Sequence, residues 1–183
     1  YISREIDFEA PAPFNDVNAS NVINGIVRGG VIPRGAKPSK EISAAQNYGF
    51  ALKIMRRPND HKLDLHDCRY TMDLSGWIEE KLGDISTALP VETIYKNFMG
   101  INGPNGLHYG LSKRMVQLYL LCLVREGKLR INLSGHNLPV EVIDYSNISS
   151  IDFKVAVLDT FYQVQGLKPP EGWETLAPFA AVF

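Results

Sequence analysis

From Met115 to Val124 the chain reads Met-Val-Gln-Leu-Tyr-Leu-Leu-Cys-Leu-Val, and Gln117 is the one strongly polar residue in the run. Ser112 supplies a capping hydroxyl ahead of it and Gly127 a stop behind Arg125, so the segment predicts a helix. Successive helical residues diverge by roughly 100°, and the apolar side chains therefore point in nearly every direction around the axis. No polar stripe is left to face water. Such a helix must lie inside the fold, and the rest of the chain has to cover it from several sides.

The chain has the material to do so, with 183 residues, 45% of them apolar and 21% charged. Nineteen Lys plus Arg against twenty Asp plus Glu give a formal charge of -1, which excludes a strong overall field toward nucleic acid or membrane. Any basic surface must be local. Cys68 and Cys122 are the two cysteines, and Cys122, inside Leu120–Val124, reads as a buried free thiol suited to a reducing, cytoplasmic setting. The longest apolar runs fall short of the ~20 residues that span a bilayer, and no signal peptide follows Tyr1, so no membrane partner is expected. The chain begins without Met and ends in an apolar tail, which suggests a piece of a longer polypeptide. Trp173, Leu176, Phe179 and Phe183 in that tail are candidate docking residues for other domains of the parent chain or for partner subunits.

Residues 1–72 read as a helical region behind an extended arm that carries Pro11 and Pro13. Val22, Ile23, Ile26 and Val27 share a helical face, with Asn18 or Ser20 as caps and Gly29–Gly30 as the stop. Ser39 and Glu41 mark a second helix start, and the stripe Ile42, Ala45, Gly49, Leu52, Met55 predicts that this helix continues through Gly49; a strand from Phe50 to Met55 is the alternative. Between Asp60 and Cys68, His61, His66, Asp67 and Cys68 invite a metal reading. Their spacing forms no CxxC, HxxxH or HExxH pair, and a solvated loop with no metal or cofactor is expected.

Residues 73–145 predict three helices. The first starts at Asp73 with Leu74, Trp77, Ile78 and Leu82 on its face, and the second opens at Pro90 with Val91, Ile94, Tyr95 and Phe98. After a glycine-rich loop, Gly100 to Gly110, comes the apolar helix, followed by alternating strands Lys128–Leu133 and Leu138–Ile143 around a turn at Ser134–Asn137. Residues 146–183 predict one more helix near Asp152, carrying Ile151, Val155, Leu158, Phe161 and Tyr162, and closed by Gly166 and Pro169–Pro170.

Three helices closed by a hairpin, with Leu111-Ser112-Lys113-Arg114 opening the third, resemble winged-helix domains. The resemblance implies a mainly α (α+β) fold: a helical N-terminal region plus a winged helix-turn-helix with a small antiparallel β-hairpin. It also implies candidate contacts to double-stranded DNA at Ser112, Lys113, Arg114, Gln117, Lys128, Arg130 and His136. The apolar circumference of the third helix argues against a long groove-reading surface.

No GxxxxGK[ST], GxSxG, GxGxxG or metal-binding helix occurs in the chain, so a non-catalytic accessory or interaction module is the expectation. A DNA-binding winged helix is the alternative, and a metal-dependent hydrolase or nuclease on the Asp60–Cys68 loop a second. The combination Asn47–Leu52, Trp77–Asp84, Tyr109–Arg114 and Lys168–Trp173 resembles an accessory region of large prokaryotic ATPases of phage defence, similar to the PglY and BrxC components of BREX systems. That likeness implies ATP chemistry outside this chain, and no residue here inherits a nucleotide-binding role.

Overall fold

The computed structural model describes residues 14–83, 87–99 and 109–167. Helix α1, Asp16–Val22, starts where the Asn15 side chain accepts the N–H of Asn18 at 2.9 Å. It widens into a π turn over Ile23–Val27, closed by the bond from Arg28 N–H to the Ile23 carbonyl. Gly25 sits in that turn against helix α2, Lys40–Tyr48, so closely that a Cβ there would lie 2.2 Å from the Glu41 carbonyl oxygen. The expected hydroxyl cap of α2 is present, since Ser39 Oγ accepts the Ile42 N–H at 3.1 Å.

Helix α2 ends at Tyr48 and does not run on to Met55, nor is Phe50–Met55 a strand. The chain makes one further turn from Gly49 and closes it with paired bonds, Lys53 N–H to the Phe50 carbonyl and Ile54 N–H to the Gly49 carbonyl. This is the Schellman pattern, and it puts Lys53 at φ +62°. Leu52 and Met55 still point inward, so the apolar spacing persists where the continuous helix does not. Glycine is the favoured residue at the left-handed position of such a turn. Lys53→Gly is therefore expected to stabilise the fold by about 1 kcal/mol, raising the thermal midpoint by about 2–4 °C in a calorimetric scan.

Helix α3, Arg69–Leu82, begins ahead of Asp73, so the expected boundary between residues 72 and 73 falls inside a helix. Strand β1, Leu89–Pro90, leads into α4, Val91–Phe98. Helix α5, Lys113–Arg125, is capped by Ser112 and stopped at Gly127, which adopts φ +72°. Then follow β2 (Leu129–Leu133), β3 (Val142–Ile143), a 3₁₀ turn over Ile148–Ser150, α6 (Val155–Leu158) and β4 (Phe161–Gly166). The fold of the described residues is mainly helical α+β, six helices with one antiparallel sheet in the order β1-β4-β2-β3.

The hairpin forms, with Ile131 opposite Ile143, but its returning strand is two residues long because only Val142–Ile143 pair with β2. The principal partner of β2 is β4, in register from Leu129↔Gly166 to Leu133↔Phe161. This corrects the expected long helix around Asp152 to Tyr162, of which only Val155–Leu158 is helical. The register shift beside Leu133 leaves Tyr162 as an extra residue, so Phe161 and Val164 both turn inward though three apart. A bulged strand thus carries a spacing that imitates a helix.

One hydrophobic cluster runs from Val22 to Val164 through all three expected segments, 1–72, 73–145 and 146–183. Helix α5 is at its centre, touching α1, the π turn, α3, α4 and β2, and every residue from Met115 to Val124 is buried. A fully buried Leu contributes roughly 1.5–3 kcal/mol relative to exposure. Leu118, Leu120, Leu121 and Leu123 are all buried, so this helix alone supplies four such contributions.

Candidate functional site

Of the candidate DNA contacts, Ser112, Lys113 and Arg114 lie at the start of α5, Gln117 within it, and Lys128, Arg130 and His136 beyond its end. At its start, Ser112 Oγ accepts the Met115 N–H at 3.3 Å, and Lys113 Nζ lies 5.3 Å from the centre of the Tyr95 ring. Arg114 turns back into the protein. Its Nε donates to Asp16 at 2.9 Å and its Nη1 to Asp159 at 2.7 Å, so one guanidinium joins α1, α5 and the residue after α6. Only 13% of its side chain is exposed. Burial alone pulls its pKa down, but the hydrogen bonds and charges of Asp16 and Asp159 outweigh this and hold it above the usual arginine value.

Gln117 is fully buried. Its amide donates to Tyr95 Oη at 2.8 Å and to the Leu158 carbonyl at 2.9 Å, and its Oε1 accepts from Arg114 Nη1 at 3.0 Å. Burial pushes the Tyr95 hydroxyl up to about 12, despite the opposing effect of the Gln117 donor. Gln117 is thus corrected from a groove contact to a polar bridge inside the core, and Arg114 from a free cation to an internal clamp.

At the other end of α5, Lys128 pairs with Glu126 at 3.5 Å, and Arg130 donates to Gln165 Oε1 at 2.9 Å across the β2–β4 pair. His136 is exposed in the turn between β2 and β3. A thirteen-residue helix is about 20 Å long, so Lys113 and Lys128 are held a full helix length apart. The docking candidates Trp173, Leu176, Phe179 and Phe183 lie outside the described residues.

Comparison with known proteins identifies no relative: no family model, curated protein or solved structure matches the chain.

Among the described residues no three His, Cys, Asp or Glu side chains are placed to hold a metal ion. Asp60 and Asp64 accept the backbone N–H groups of His61 and His66, as carboxylates in tight turns do. A cleft of about 160 Å³ beside this loop is lined by Phe50, Lys53, Met55, Arg56, Asp64 and Asp67; neither histidine nor Cys68 lines it. Burial raises the pKa of the Cys68 thiol and raises that of Cys122 well above its ordinary value, which disfavours the thiolate form in both.

Sequence reasoning missed the residues that cover α5. Arg28 donates to the Ile151 carbonyl at 3.2 Å, Asn24 exchanges bonds with Asp152 and the Phe153 backbone, and Ser20 donates to the Phe153 carbonyl. Arg125 reaches the Arg28 carbonyl at 3.1 Å and lies over the Tyr145 ring. These bonds tie α1 and the π turn to residues 151–153, and Arg125 ties the end of α5 to Arg28; each is a long-range pairing that no local pattern reports.

Proposed function

We propose that the chain is a non-catalytic interaction module built on a winged-helix plan, in which the third helix is scaffold and does not read DNA. Here β1 pairs with β4, and β2 lies on the other side of β4. On this reading β4 stands in for the returning strand expected at Leu138–Ile143, and β3 and α6 lie in the segment 134–160 between β2 and β4. The observation that carries the reading is the burial of Met115–Val124, with Gln117 and Arg114 bonded within the fold. A recognition helix needs an open face of polar side chains, whereas α5 is buried from Met115 to Val124 and packs against α1 and the π turn.

Tyr145 and Tyr162 remain exposed, at 56% and 54%, and aromatic residues of this kind anchor protein partners. In a larger ATPase, the setting suggested by the phage-defence resemblance, such a module would link the motor to its partners. The hydrolase alternative has no comparable support, because among the described residues no three His, Cys, Asp or Glu side chains are placed to hold a metal ion.

Selection from a randomised duplex library tests the reading. The expected outcome is no enriched sequence and a specificity ratio near one, where sequence readers reach roughly 10³–10⁷. An enriched site whose binding collapses in Lys113→Ala would overturn it.

A further inference from the structure

The charge balance of the chain hides a strong segregation. Residues 31–40 and 53–62 together hold seven Lys plus Arg and one acid, Asp60, leaving twelve Lys plus Arg against nineteen Asp plus Glu elsewhere. The fold brings these two stretches side by side. Ile32 N–H donates to the His61 carbonyl at 2.7 Å, Leu63 N–H to the Gly30 carbonyl at 2.9 Å, and Val31 pairs antiparallel with Lys62.

Each stretch then makes a tight turn at the same end of this short ladder. Pro33–Ala36 closes by Ala36 N–H to the Pro33 carbonyl, with Gly35 at φ +74°. Arg57–Asp60 closes by Asp60 N–H to the Arg57 carbonyl, with Pro58 second and Asn59 third at φ +58°. Both have the left-handed third residue of a type II turn, and proline stiffens both stretches. Arg34, Lys37, Arg57, His61 and Lys62 are all exposed on this double turn. Asp60 approaches Arg57 only at 3.9 Å, and Arg57 is 79% exposed, so solvent screens that pair. Lys53 and Arg56 instead share a cleft with Asp64 and Asp67, and their charge is balanced there.

The geometry points to a phosphate-backbone contact: Arg34, Lys37, Arg57 and Lys62 on the double turn bind double-stranded DNA without reading its sequence. Guanidinium and ammonium groups on stiff turns match a line of phosphates. A protein partner would need an apolar anchor at the centre of its interface, and the exposed large apolar residue here is Val31 alone. Residues 31–40 and 53–62 contain no Phe, Tyr or Trp, which removes the stacking platform that single strands use and the aromatic anchors of a membrane surface. The contact is independent of α5, so it stands or falls apart from the scaffold reading.

Fluorescence anisotropy with a labelled random-sequence duplex tests it. Four phosphate contacts predict that affinity falls by about two orders of magnitude between about 50 mM and about 200 mM salt. The triple variant Arg34→Ala/Arg57→Ala/Lys62→Ala is expected to bind at least about ten-fold more weakly at the lower salt, with a much shallower salt dependence. Its thermal midpoint should stay near that of the parent, because these side chains are exposed, and Lys113→Ala should bind as the parent does. No duplex binding at low salt, parent-like binding by a folded triple variant, or charge-dependent capture by anionic phosphatidylserine vesicles in place of DNA would each overturn the proposal.

Discussion

Gln117→Ala is expected to destabilise the fold by about 3–5 kcal/mol, read as a drop in the urea midpoint at unchanged slope. The substitution removes both donors of a buried amide, leaving the Leu158 carbonyl and the Tyr95 hydroxyl without their Gln117 partner, and each orphaned buried group costs about 1–3 kcal/mol. It also takes away the oxygen that helps hold Arg114, and it opens a cavity at the centre of the core. Gln117→Leu restores the volume but not the bonds, and about half the loss should remain. The experiment separates two views of α5. A glutamine on an exposed reading helix could be replaced within about 0.5 kcal/mol, so a near-neutral result would mean that this face of the helix is open.

The same residue illustrates what the sequence makes legible. A single polar side chain in an otherwise apolar helix is itself a signal, because a buried amide has to find partners. Its position tells that a bond exists without telling with whom, and Tyr95 and Leu158 lie on separate elements. The buried character of α5, its Ser112 cap and its Gly127 stop all follow from neighbours within one or two turns, and the structure has them. The capping hydroxyl of Ser39 is of the same local kind.

Misreadings arise where tertiary pairing overrides local spacing. Phe161 and Val164 share a face because Tyr162 bulges, and the sequence carries the resulting interval of three with no mark that distinguishes it from a helix. At Gly49 the periodicity of α2 continues into a Schellman turn, since Leu52 and Met55 are buried by a chain that folds back. The candidate cations suffered most. Lys113 and Arg114 look free at a helix start, but Asp16 and Asp159, which hold Arg114, are brought there by α1 and α6. Conversely, the basic double turn is split in sequence by α2 and is assembled only by the pairing of Val31 with Lys62.

Gly25→Ala should cost about 2–4 kcal/mol, although alanine is intrinsically the better helix former. The added Cβ would meet the Glu41 carbonyl oxygen at 2.2 Å and its carbon at 2.7 Å, and the Ala45 methyl at 3.0 Å. Backbone cannot swing aside as a flexible side chain does, so α2 or the π turn must move as a body. The π turn reinforces the effect, because its wider ring already commits the backbone to the geometry that sets Gly25 against α2. The consequence reaches α5. Val22, Ile23, Ile26 and Val27, on the same α1–π segment, are fully buried in the cluster that encloses it, and displacing them uncovers apolar surface. Faster hydrogen exchange along α1 and α2, with binding of an apolar dye, is the expected signature. Parent-like stability in Gly25→Ala would mean that the two helices are not in contact there, and that the cover over α5 is looser than the Glu41–Gly25 approach requires.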